Sequence, residues 1–407
     1  MDPACNISGR LRLPCFELLV SHFINPRWLL TRVWSYNSVL LSVDMNFHQS
    51  AQSILQNDYP WTKTPFIASA PMARVAKPPL AVAVSRAGGL GFIAAGYTSE
   101  NLEEVLDEAA ELIAEEPIPG ASSAAQGLPV GVGFICWSAS LASAIPALKK
   151  HRPCAVWLFA PPNDYNDLVP WVTQIREATS HHTKIWVQVS TVADALDVIK
   201  TLQPDTLVLQ GSDAGGHGLA SGASIVSLVP EVHDKLREKQ VSTARPIPLV
   251  AAGGISDGRA VAASINLGAQ GCVMGTRFLA SPESQIAAGY QKEVLRASDG
   301  GLNTVRTDVY DKIRDIHGWP NRYNGRALIN RSYIEAMDGL GEEENRTLYM
   351  EEMEEGGVGY GPKGRQCTYA GTGVGLIREV MSAGDIVRSV MREANQLLVK
   401  GGSKARL

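Results

Sequence analysis

The chain has 407 residues, with 37 Lys and Arg against 41 Asp and Glu, for a formal net charge of −4 at pH 7. That balance lacks the broad positive field that a nucleic acid or an anionic membrane surface calls for, so neither is expected as the main partner. A hydrophobic share of 45% with 19% charged residues excludes disorder as the dominant state and indicates a large buried core.

Residues 1–64 read as a leader of unassigned structure. Their short apolar patches, Leu18 to Val20 and Leu29–Leu30, lie among Pro14 and Pro26 and fit neither helical nor strand period. No basic stretch leads into an apolar one with a small-residue cleavage site, and Asp2 and Glu17 weaken a transit-peptide reading. Met45 is an equally good natural start. The six cysteines (Cys5, Cys15, Cys136, Cys154, Cys272 and Cys367) form no CxxC pair and no zinc-ligand cluster, so no structural metal is expected and a reduced, cytoplasmic setting is. No run approaches the roughly 18 uninterrupted apolar residues of a membrane span.

From residue 65 onward, eight short apolar runs recur: 66–70, 90–94, 130–136, 155–159, 185–189, 206–209, 247–251 and 272–274. Amphipathic stretches separate them. Thr98 or Ser99 is placed to cap a helix whose Leu102, Val105, Leu106, Ala109, Leu112 and Ile113 share one face. Thr191 followed by Asp194 resembles a capping box, and Pro204 marks the end of the helix it opens. Asp257 to Leu267 repeats the scheme, with Gly268 where a left-handed C-cap belongs.

Near-continuous apolar strands alternating with helices indicate parallel pairing with both faces covered. Eight such units predict a TIM (β/α)8 barrel over residues 65–282. A doubly wound sheet fits less well, because no GxGxxG follows the first strand; the nearest string, Gly371 to Gly375, lies far downstream. Residues 283–407 alternate helical stretches with glycine-rich turns and carry an acidic block, Glu342 to Glu344 and Glu351 to Glu355. They are expected to form a helical cap on one end of the barrel rather than an independent domain.

A barrel of this kind builds its active site at the C-terminal ends of the strands. The sixth run ends in Gln210-Gly211-Ser212-Asp213-Ala214-Gly215-Gly216-His217-Gly218, the seventh in Ala252-Gly253-Gly254-Ile255, and the eighth in Met274-Gly275-Thr276-Arg277. Glycine lets main-chain N–H groups approach an anion, and the following helix N-terminus adds a positive dipole end, so a phosphate-bearing ligand is expected here. Gln188, near the end of the fifth run, offers a neutral amide suited to a planar heterocycle such as a flavin.

Of the eight histidines, His151, His233 and His317 sit in polar surroundings that read as surface. His217 stands among glycines at a strand end, and imidazole, with a pKa of about 6.5, suits proton abstraction near neutrality. Trp137, Phe159, Tyr310, Trp319, Tyr323 and Tyr369 read equally well as pocket wall or as core.

Together these strings resemble the nitronate monooxygenase family, long called 2-nitropropane dioxygenases. The matching elements are Ala70-Pro71-Met72-Ala73, Ala87 to Gly91, Gly211 to Gly218, Ala252 to Gly258, Met274 to Phe278 and Ala370 to Gly375, in the family's order. The resemblance implies an FMN-containing barrel that oxidises alkyl nitronates, and in many members neutral nitroalkanes, with O2 to a carbonyl compound and nitrite. It implies Pro71, Met72 and Ala73 as a platform for the flavin ring, Gln188 and Gln210 as polar flavin contacts, and Gly215, Gly216, Gly253, Gly254, Gly275 and Thr276 as contacts to the ribityl phosphate. His217 is implied as the base that takes the α-proton of a nitroalkane.

One departure stands out: many relatives carry an asparagine after the third strand, where this chain reads Gly131-Val132-Gly133-Phe134. Related FMN barrels act as NAD(P)H-dependent reductases of quinones or enoyl thioesters, which is the alternative reading. A phosphate-ligand binding protein without turnover is a third. Oligomeric state carries no sequence signal.

Overall fold

The computed structural model describes residues 51, 53–121, 127–238, 245–354 and 359–404. The readings made for residues 1–50 lie outside them. The eight apolar runs become the strands of one parallel sheet: β1 (Phe66–Ser69), β2 (Phe92–Ala94), β3 (Gly131–Ile135), β4 (Ala155–Phe159), β5 (Lys184–Val189), β6 (Thr206–Gln210), β8 (Leu249–Ala252) and β9 (Gly271–Met274). Their order is β1-β9-β8-β6-β5-β4-β3-β2. A parallel bridge from Ala68 to Leu90 joins the two edges, with Ser69 N–H donating to Leu90 O and Leu90 N–H to Ile67 O. The fold is therefore the TIM-type barrel expected from the pattern.

Helices α1 (Pro78–Arg86), α2 (Leu102–Glu115), α3 (Leu141–His151), α4 (Val169–Ala178), α5 (Val192–Leu202), α6 (Ile225–Arg237) and α7 (Gly258–Asn266) connect the strands. Two of the expected caps form. Thr191 accepts from Asp194 N–H, and Asp257 accepts from the N–H groups of Arg259 and Ala260; Gly268 takes φ +110° just past α7. The cap expected at Thr98 or Ser99 does not. Ser99 is buried with φ +62°, and α2 starts after Asn101 with no side-chain cap.

The barrel interior is filled by aromatic rings from β1, β2, β4 and β5 and from Tyr59, which precedes β1. Phe92 lies 5.0 Å from Trp186 and 5.3 Å from Trp157, while Tyr59 and Phe66 meet Trp186 at about 6 Å. Glycines on neighbouring strands make the room: a Cβ on Gly131 would sit 2.3 Å from the Phe92 ring, and one on Gly271 would sit 2.7 Å from Phe66. The fully buried Tyr59 hydroxyl accepts the indole proton of Trp186 at 2.7 Å. Tyr59→Phe leaves that buried N–H without an acceptor, an expected cost of about 1–3 kcal/mol. Urea unfolding should show a lower midpoint at unchanged slope; an unchanged midpoint would remove this bond from the account.

Two features were not read in the sequence. The glycine-rich string after β6 contains a ninth strand, β7 (Gly216–Leu219), which leaves the barrel and pairs antiparallel with β11 (Tyr323–Leu328), itself paired to β10 (Thr304–Thr307). Residues after 282 thus contribute strands as well as helices α8 (Ala288–Arg296), α9 (Arg331–Met337), α10 (Glu342–Glu354) and α11 (Ala383–Lys404). Helix α11 packs on the barrel flank against α7 and α1, and its Ile386, Val387, Val390 and Ala394 join the main core.

Candidate active site

A cavity of about 510 Å³ opens at the C-terminal ends of the barrel strands, within the size range of small-molecule sites. Pro71, Met72, Ala73, Gln188, Gln210, Gly215, Gly216, His217, Gly253, Gly254, Gly275 and Thr276 all line it. The topology explains the meeting, since β6, β8 and β9 are direct neighbours in the sheet and the loop after β1 follows from the pairing of β1 with β9.

The glycines serve different ends. Gly253 and Gly254 take φ +108° and +74°, a region that favours glycine. Gly215 is packed against the chain, since a Cβ there would sit 2.4 Å from Gly371 N. Gly275 faces open space, its nearest neighbours being Ala70 Cβ and Met72 Sδ at 3.6 Å. Among the described residues, none accepts from the backbone N–H of Gly253, Gly254 or Gly275, so these donors are available to an anion.

The expected help from a helix N-terminus is absent. At α7 the Asp257 carboxylate takes the N–H groups of Arg259 and Ala260, and Glu393 takes that of Gly258 at 2.8 Å. Two carboxylates already occupy the positive end. After β9 comes only a short 3-10 turn, Thr276–Ala280. Positive charge instead stands behind the β6 loop, where the Arg306 guanidinium donates to Ala214 O and Arg326 to Ser212 O. Burial first, then the neighbouring Arg326, brings Arg306 down to about 10. The late Gly371-Thr372 pair braces the same rim: Gly371 N–H donates to the Thr276 hydroxyl (3.0 Å) and the Thr372 hydroxyl to Asp213 (2.8 Å).

Gln188 and Gln210 each carry one unpartnered buried amide atom. The Trp157 indole N–H donates to Gln188 Oε1 at 3.1 Å, which leaves Gln188 Nε2 as a donor without a partner. Gln210 Nε2 donates to His217 O at 3.2 Å, which leaves its Oε1 as a free acceptor. Buried polar atoms in folded proteins are nearly always paired, so an unpartnered amide atom on each of two cavity-lining residues points to a ligand that pairs with these amides when they turn toward it. The edge of a flavin ring, carrying both carbonyl and ring N–H groups, fits. The missing asparagine also has a physical reason: a Cβ on Gly133 would lie 2.3 Å from the Pro71 ring, so Pro71 occupies the space a side chain would need.

His217 sits on β7 opposite Gly325 of β11. Its Nε2 lies 2.8 Å from Asp311 Oδ2, and its ring stacks on Trp319 at 3.8 Å and 3°. Asp311 Oδ1 accepts from the Tyr369 hydroxyl at 3.0 Å. Burial, then Cys367 and Asp311, raise Tyr369 well above its ordinary value, so the phenol keeps its proton to donate. Arg314 donates to the same hydroxyl at 3.3 Å and lines the cavity with no carboxylate ion pair among the described residues. Of the other histidines, His317 is exposed as expected, whereas His151 and His233 are largely buried, with side chains 8% and 13% accessible.

Asp311 and Arg314 escaped the sequence reading, because they lie about a hundred residues beyond His217 in a stretch without glycine-rich signal. Of the aromatic residues left open, Phe159, Trp319 and Tyr369 line the cavity. Tyr310 is core instead, with its hydroxyl donating to Leu328 O.

The chain matches a family model described as nitronate monooxygenase over residues 59–124 and 168–393. It is 47% identical over 346 residues to the nitronate monooxygenase npaC of Metarhizium robertsii, covering 84% of this chain and 95% of that protein. It is 38% identical over 375 residues to a nitronate monooxygenase of Neurospora crassa, covering 86% and 95%. Among solved structures it is similar to FabK from Thermotoga maritima, with TM-score 0.64, 24% identity and coverage of 86% and 98%. A nitroalkane oxidase from Streptomyces ansochromogenes gives TM-score 0.62 at 24% identity over 84% and 98%.

Proposed function

The chain belongs to the nitronate monooxygenase family, a flavin-dependent oxidoreductase family, and on that premise we propose that it uses FMN to oxidise alkyl nitronates. Neutral nitroalkanes enter the same reaction after loss of the α-proton. O2 is the co-substrate, and a carbonyl compound and nitrite are the products. The observation that carries the reading is the lining of one cavity by three glycines with unengaged amides, two glutamines that each keep an unpartnered amide atom, and an imidazole.

The backbone N–H groups of Gly253, Gly254 and Gly275 and the hydroxyl of Thr276 are assigned to the phosphate. Gly215 and Gly216 shape the loop beside them. Gln188 and Gln210 are assigned to the ring edge, and Pro71, Met72 and Ala73 to the ring face. Bound there, FMN supplies an electron acceptor that a nitronate carbon can reduce and that O2 reoxidises. His217 takes the α-proton of a neutral nitroalkane, as the negative charge spreads onto the two nitro oxygens. The half-buried Arg314 guanidinium makes the cavity favourable to that anion.

Gln188→Glu keeps an acceptor for Trp157 but exchanges the free donor for an anion. FMN titrated into the stripped variant should bind at least about tenfold more weakly, since each 1.4 kcal/mol is a factor of ten. An unchanged Kd would remove Gln188 from the ring contacts.

Anaerobic mixing tests the reaction. Ethylnitronate should bleach the flavin absorbance under argon, air should restore it with release of nitrite, and NAD(P)H should leave it unchanged. Bleaching by NAD(P)H with none by the nitronate would make the protein a reductase.

A further inference from the structure

We propose that Asp311 is a positioning residue for proton abstraction: it holds His217 in the tautomer protonated on Nε2, so that Nδ1 is the atom that receives the substrate proton. The proposal rests on the reading of His217 as the base and specifies which face of the ring acts.

The Asp311 carboxylate has two oxygens and each receives one contact, Oδ1 from the Tyr369 hydroxyl at 3.0 Å and Oδ2 from His217 Nε2 at 2.8 Å. A carboxylate has no proton to donate, so the hydrogen of the second contact belongs to Nε2. The Tyr369 phenol cannot satisfy that role instead, because it is committed to the other oxygen and receives Arg314 from behind. Asp311 is itself buried, at 5% exposure, which makes an alternative partner from solvent unavailable.

The ring plane is fixed independently. Trp319 lies parallel to the imidazole within 3° at 3.8 Å and holds the ring plane; a half-turn of the ring that keeps that plane would put the Cε1 carbon where Nε2 stands and lose the bond to Asp311, so that bond selects the orientation of the ring. With Nε2 committed and His217 lining the cavity, Nδ1 is the nitrogen left for a substrate, and no described residue hydrogen-bonds it. In the step itself, the C–H bond of the nitroalkane breaks and its proton goes to Nδ1. The electron pair moves into the carbon–nitrogen bond and onto the nitro oxygens. Asp311 takes no proton; it stays bonded to Nε2–H throughout, as the carboxylate of a Ser-His-Asp triad does.

Nothing near His217 in sequence supplies this partner. Asp311 arrives on a helical turn directly after β10, and β10 is tied through β11 to the strand that carries His217. The same excursion of chain therefore delivers the base and its anchor together.

The test uses the FMN-loaded enzyme labelled with 15N-histidine, with the His217 signals assigned by their loss in His217→Asn. At a pH where the ring is neutral, two-bond proton–nitrogen correlations should show Nε2 protonated and Nδ1 bare. In Asp311→Asn the amide must offer its NH2 to one of the two former donors, so the tautomer signature should become mixed or reversed. Turnover of neutral nitroethane should then fall roughly 100-fold in kcat, far more than turnover of ethylnitronate, and Asp311→Glu should recover part of the loss. A wild-type spectrum with Nδ1 protonated overturns the proposal without any variant at position 311, which covers the case of a variant that fails to fold. Wild-type nitroethane turnover in Asp311→Asn, with loss in His217→Asn, overturns Asp311 alone. Wild-type turnover in His217→Asn overturns the underlying reading of the base.

Discussion

His217→Asn is expected to lower kcat/KM for neutral nitroalkanes by about 10²- to 10⁴-fold, the usual contribution of a positioned general base, while oxidation of preformed nitronates falls by less than about tenfold. The difference follows from the chemistry of the two substrates. A nitroalkane must lose a carbon-bound proton before it can give up electrons, and asparagine has no basic nitrogen to accept one. A nitronate arrives without that proton. Asparagine can still hydrogen-bond Asp311, so the β7–β11 pairing and the cavity wall are expected to persist. Oxygen uptake with nitroethane and with ethylnitronate, run on the same preparation, reads the ratio directly. An equal loss on both substrates, or none on either, would take His217 out of proton transfer.

The second large effect is expected at the rim. Gly275 has φ −111°, which other residues adopt, and a Cβ there meets only Ala70 and Met72 at ordinary contact distance, 3.6 Å. Gly275→Asp should therefore fold, yet it places a carboxylate where the account puts a phosphate. Like charges at that range, partly shielded from water, repel strongly. The variant is expected to purify colourless and to bind added FMN at least about 100-fold more weakly, a difference of about 2.8 kcal/mol, with a circular dichroism spectrum like that of the parent. A yellow variant with parental affinity would move the phosphate elsewhere. The choice of Gly275 matters, because Gly253 and Gly254 are also held by backbone conformation and their replacement would confound binding with folding.

Much of the scaffold was legible because parallel barrel strands are buried on both faces and announce themselves as apolar runs; Ala155–Phe159 and Lys184–Val189 are plain examples. Caps with a side-chain acceptor at the right offset, Thr191 and Asp257, were legible for the same local reason. Strand β7 was not. Gly216-His217-Gly218-Leu219 has no alternation and little strand propensity, and it is a strand only because β11, over a hundred residues later, supplies its hydrogen bonds.

The site divided along the same line. The glycine turns and His217 are dense local strings, whereas Arg314 reaches the cavity, and Asp311 reaches His217, through tertiary structure alone. The supposed helix-dipole contribution at α7 failed for a comparable reason. Glu393, which closes that N-terminus, sits on α11 and is distant in sequence from Gly258.

The central claim is that FMN lies in the strand-end cavity with its phosphate on the rim turns and its ring beside His217. A crystal structure of the flavin-loaded protein tests it most directly. The account predicts phosphate oxygens within hydrogen-bond distance of the backbone nitrogens of Gly253, Gly254 and Gly275, and a ring edge on Gln188 and Gln210. Phosphate density away from those turns, or a ring separated from the imidazole by protein, would contradict it.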